Sequence, residues 1–111
     1  MTMLDLEALD VLRDVMEDEY ESLVHLYVRD SDGRFSQMRD AAAAGNAEQL
    51  RHIVHSFKGA SGNICAPSLA ARAQSLEDAA RAGGAEALLD DISLLEQDYL
   101  QVREALIATL S

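Results

Sequence analysis

The sequence predicts an all-α protein, an antiparallel four-helix bundle with a short additional N-terminal helix. Three observations predict it. Proline occurs once and glycine only six times in 111 residues. No stretch alternates apolar and polar residues with β-branched side chains for long enough to make a strand. Five segments carry apolar residues spaced by three or four, the period of an amphipathic helix. Four long segments of that kind, joined by short links, can bury their stripes only against one another, as in an up-down bundle. A chain of 111 residues suffices for one modest core and not for two, so residues 1–111 are expected to form a single domain.

The first helix is expected over Leu6 to Met16, with Asp5 as its cap and Leu6, Leu9, Val11, Leu12 and Val15 as its apolar positions. In the second, Tyr20, Leu23, Val24, Tyr27, Val28, Phe35, Met38 and Ala42 recur at helical spacing. Its segment DSDG, residues 30–33, could be a turn or the start of a calcium loop. Phe35 nevertheless falls seven residues after Val28, so the stripe keeps phase, and a continuous helix is expected. The calcium loop also needs a third early ligand, a glycine at its sixth position and a glutamate at its twelfth, none of which is in place. AAAAG ends this helix with Gly45 as a left-handed cap, and Asn46 followed by Gln49 reads as a capping box. The third helix runs from Ala47 to about Ile64. Pro67 suits the first turn of the fourth, whose stripe is Leu69, Ala73, Leu76 and Ala80, and Gly83 and Gly84 end it. Leu88, Leu89, Ile92, Leu95, Tyr99, Val102, Leu106 and Leu110 mark the last helix.

Twenty acidic against nine basic residues give a formal net charge of −11. That charge argues against nucleic acid and anionic membrane surfaces as partners, because both repel the chain at long range. The charge is uneven. Residues 1–32 hold ten acids and two bases and residues 84–111 six acids and one base, whereas residues 33–83 hold four acids and six bases, including the only lysine, Lys58. There is no apolar run of membrane-spanning length, and the start, MTMLDLEALD, has acids where a secretory signal would have lysine or arginine; a cytoplasmic protein is expected. Cys65 stands alone, so neither an internal disulfide nor a multi-cysteine zinc site can be built.

The mildly basic middle contains HSFKGASGN, residues 55–63, with two glycines inside a good amphipathic helix. Each interior glycine costs about 1 kcal/mol relative to alanine. On a helical wheel of about 100° per residue, Leu50, Ile53, Val54, Phe57, Ser61 and Ile64 form the buried stripe, while His55, Gly59 and Gly62 cluster on the opposite face. Two residues without side chains thus clear the surface beside an exposed histidine. Lys58 at i+3 and Arg51 at i−4 lie within reach of that surface. An imidazole there is suited to carry a transferred anion such as a phosphoryl group: its neutral nitrogen is nucleophilic near pH 7, an acceptor on the other nitrogen fixes the tautomer, and lysine supplies compensating charge.

At these residues the chain resembles the histidine phosphotransfer (HPt) domains of bacterial phosphorelays, whose signature is similar to HSFKGASGN. The resemblance extends to LEDAAR at residues 76–81 and to the order and lengths of the helices over residues 5–110. It implies that His55 is the phosphoacceptor, that Lys58 supports the phosphoryl group, and that Gly59 gives a partner room. It further places Glu77 where family members often hydrogen-bond the acceptor ring, and Arg81 where they often contact the phosphoryl group or the partner. Cys65 departs from the family pattern, which often has a glycine there; that glycine is expected to ease packing between the third and fourth helices, and cysteine, being small, to be accommodated. The implied partners are receiver domains of a hybrid sensor kinase and of a response regulator, met by a monomer. No nucleotide-binding motif is present, so no kinase activity is expected, and no cofactor beyond Mg²⁺ on the receiver. Two other readings remain open on the residues alone. One is a helical-bundle adaptor with an incidental His55; the other is a weak metal site from Glu48, His52 and His55, for which no supporting residues are evident.

Overall fold

The computed structural model describes residues 3–110. It contains five α-helices and no strand among the described residues: α1 (Leu6–Met16), α2 (Tyr20–Ala43), α3 (Ala47–Asn63), α4 (Pro67–Arg81) and α5 (Leu89–Ala108). Short 3₁₀ turns at Glu17–Glu19 and Ala85–Leu88 lead into α2 and α5. α2 packs on α3 and α5, and α4 on α3 and α5, which closes a four-helix ring; the molecule as a whole is about 42 Å long. α1 lies outside that ring against α2. No described helix is long and apolar enough to cross a membrane.

The N-caps form where the sequence puts them, but the box at Asn46 is only half made, because the Asn46 N–H goes to the Ala41 carbonyl and not to the Gln49 side chain. Asp5 Oδ1 accepts the Ala8 N–H at 3.1 Å, and Asn46 Oδ1 accepts the Gln49 N–H at 3.0 Å. α2 ends in a left-handed turn at Gly45, with φ at 71°. There the Gly45 N–H bonds the Ala42 carbonyl at 3.0 Å and the Asn46 N–H bonds that of Ala41 at 2.9 Å. α2 runs unbroken through residues 30–33. The Asp32 carboxylate, which could have bent the backbone, instead accepts the Tyr99 hydroxyl at 2.7 Å and pairs with Arg103 at 3.5 Å.

The same turn recurs at the end of α3, with Cys65 in the glycine position. Its φ is 67°, its N–H bonds the Gly62 carbonyl at 3.2 Å, and the Ala66 N–H bonds that of Ser61 at 2.9 Å. The packing account of this position is therefore corrected: what it asks of its residue is a left-handed backbone, for which a non-glycine residue costs roughly 1–2 kcal/mol. The Cys65 carbonyl then accepts the Asp5 N–H at 2.8 Å and so ties the start of α1 to the end of α3.

At the centre, Phe35 and Phe57 meet edge to face at 5.0 Å between centroids, and Tyr99 lies 5.2 Å from Phe35 and 5.9 Å from Phe57. The α3 stripe of Leu50, Ile53, Val54, Phe57, Ser61 and Ile64 is buried throughout. Of the apolar positions on α1 only Leu9 is buried, and Leu6, Val11 and Val15 are exposed, because a helix laid on the outside of the bundle covers only a narrow strip. One expectation is corrected. Leu89 is exposed, because at about 100° per residue Leu88 is in phase with Ile92, Leu95 and Tyr99 while Leu89 stands a quarter-turn off the stripe.

Candidate functional site

Helices α3 and α4 lie side by side, and the face of α4 turned to α3 carries Gln74, Glu77 and Arg81 at spacings of three and four. Glu77 follows Ala73 by one turn and precedes Ala80, both fully buried, so its stem enters the core edge and its side chain is only 5% exposed. A carboxylate so placed needs partners. It has three. His55 Nδ1 lies 3.2 Å from each carboxylate oxygen, Lys58 Nζ 2.9 Å from Oε1, and Arg81 Nη2 3.4 Å from Oε2.

Burial alone would raise the Glu77 carboxyl, but hydrogen bonds from Lys58 and His55, together with their charge, outweigh it and hold the group below the ordinary glutamate value. An ionised carboxylate can only accept, so Nδ1 carries the proton. In the neutral ring the lone pair then belongs to Nε2. The His55 side chain is 65% exposed.

Gly59 and Gly62 are exposed on the same helix, and a Cβ added at either would meet nothing within 4 Å. Lys58 is half-buried and also donates to Gln74 Oε1 at 2.7 Å, while Gln74 Nε2 donates to Asp78 Oδ1 at 2.9 Å. Arg51 does not join this cluster. With Ala47, Glu48, Ala80, Arg81 and Gly83 it lines an open groove of about 450 Å³ between the start of α3 and the end of α4. His52 faces Glu48 at 3.9 Å while His55 turns to Glu77, and among the described residues no three His, Cys, Asp or Glu side chains converge on a metal-sized site.

Glu77, Lys58, Arg81 and His55 are therefore one hydrogen-bonded cluster, flanked by the two bare glycines. Gln74 and Asp78 belong to it and were not singled out from the sequence. Their only advance signal is spacing: Gln74 stands three residues before Glu77 and four before Asp78.

Residues 22–105 match the family model of the Hpt domain. The chain is similar to the crystal structure of histidine-containing phosphotransfer protein B (HptB) from Pseudomonas aeruginosa PAO1, with a TM-score of 0.89 and 39% identity, covering 96% of this chain and 92% of that one. No curated protein matches the sequence.

Proposed function

The chain belongs to the Hpt domain family, whose members are phosphotransfer intermediates of two-component phosphorelays and interact with receiver domains, and from that premise we propose that His55 is its phosphoacceptor. It takes a phosphoryl group from the aspartate of one receiver domain, that of a hybrid sensor kinase, and delivers it to the aspartate of another, that of a response regulator. The observation that carries this reading is the pairing of His55 Nδ1 with the buried Glu77 carboxylate, beside two glycines that nothing in the chain itself requires.

Each feature has a task in that reaction. With Nδ1 protonated, the Nε2 lone pair attacks phosphorus, the N–P bond forms, and the bond to the aspartyl oxygen breaks to release a carboxylate. Lys58 and Arg81 offset charge on the transferred group. Gly59 and Gly62 leave the partner's surface free to approach the ring, and Arg51 lies at the rim of the same face. Magnesium and the remaining catalytic groups come from the receiver, and the chain, a cytoplasmic monomer, contributes no kinase activity and no cofactor of its own.

The docking is brief and of modest area. It extends from His55 over the glycines toward Cys65, about 15 Å along α3 at 1.5 Å per residue, where α1 is tied. The exposed Leu6, Val11 and Val15 of α1 supply apolar area at that end.

Incubation with a phosphorylated receiver domain tests the proposal. Wild type acquires acid-labile, base-stable phosphate and His55→Gln does not. Equal labelling of the two would refute the reading and leave a helical adaptor in its place.

A further inference from the structure

We infer that Gln74 is a positioning residue for this reaction, holding the Lys58 ammonium so that one of its N–H groups stays available to the phosphoryl group on His55. The inference rests on the phosphoacceptor reading above and adds a residue to it.

Three features of the geometry point there. The Lys58 ammonium has three donors, and two are committed, to Gln74 Oε1 at 2.7 Å and to Glu77 Oε1 at 2.9 Å. The Gln74 amide cannot turn over without loss, because its nitrogen is held by Asp78 Oδ1 at 2.9 Å, and this keeps its oxygen toward the lysine. Glu77 is shared: the carboxylate that holds Lys58 also holds His55 Nδ1. Without Gln74, the flexible lysine has the Glu77 carboxylate as its sole partner, settles onto it, and competes with the imidazole for it.

A neutral amide suits this position for a second reason. It accepts a hydrogen bond from the ammonium without adding negative charge where a phosphoryl dianion must arrive. A glutamate there would hold the lysine more tightly and repel the incoming group.

The test compares wild type, Gln74→Leu, Gln74→Glu, Lys58→Ala and the Gln74→Leu/Lys58→Ala double variant, each labelled from one phosphorylated receiver domain and each checked by thermal melting. Gln74→Leu is expected to accept phosphate about tenfold more slowly, the low end of the scale of one hydrogen bond to a charged group. Gln74→Glu is expected to be slower still. In the Lys58→Ala background Gln74→Leu is expected to change nothing further, which a merely structural role would not produce. Gln74→Leu accepting at the wild-type rate, or losing the same factor with and without Lys58, would overturn the inference while the relay stands. Wild type that gains no label beyond His55→Gln would overturn the relay reading and this inference with it.

Discussion

Glu77 is the residue on which the site's electrostatics turn, because one nearly buried carboxylate serves an imidazole, an ammonium and a guanidinium. Its folded-state acidity is shifted below the ordinary value of 4.5, so its ion pairs stabilise the fold above that pH and lose their effect as pH falls through the lower folded value. Glu77→Gln is therefore expected to melt earlier than wild type near neutral pH, with the difference shrinking as pH falls below about 4.5 and through the lowered folded value. Melting curves across that range check it; a constant difference down to the lowest pH would mean that the carboxylate's charge adds nothing to stability. From spacing alone Glu77 reads as half of an ordinary i,i+4 pair with Arg81, and the structure does contain that pair. Its position opposite His55 was legible only through the family resemblance, since burial of a carboxylate depends on which helix lies across from it. Gln74 was not legible for the same reason. Its partner Lys58 is sixteen residues away on another helix, and nothing in the pattern of α4 distinguishes it from a solvated glutamine.

At the scale of the elements, α3 holds two glycines that weaken it by about 1 kcal/mol each and relieve no crowding within the chain. Gly59→Gln is accordingly expected to raise the melting temperature slightly while slowing phosphoryl transfer, because the new side chain projects into the space a partner must enter. A variant that transferred at the wild-type rate would contradict the clearance argument. The wheel was enough to read this face, since a helix of known phase fixes which residues share a side. Helix ends were legible where the usual residues mark them, as at Asp5, Gly45, Asn46 and Pro67. The end of α3 was placed correctly, yet its chemistry was misread, because cysteine occupies the left-handed position that glycine normally announces. The continuity of α2 could be read from the phase of Val28 and Phe35, whereas the Tyr99 hydroxyl that satisfies Asp32 comes from 67 residues along the chain.

For the whole molecule, four apolar stripes determined the bundle, since each had to be covered and only the other three were there to cover it. α1 stands outside that logic. An amphipathic pattern shows that a face is apolar without showing that anything lies on it, and Val11 and Val15 face solvent. The bundle in turn sets the chemistry: it holds α3 against α4 so that a carboxylate from one orients an imidazole from the other. Which ring nitrogen carries the phosphoryl group tests that claim most directly. Phosphorus–nitrogen NMR on protein with ¹⁵N-labelled histidine, phosphorylated by a receiver domain, can read it. The expected result is phosphorus bonded to Nε2 of His55, with Nδ1 still protonated toward Glu77. Phosphorus on Nδ1 of His55, or on His25 or His52, would contradict it.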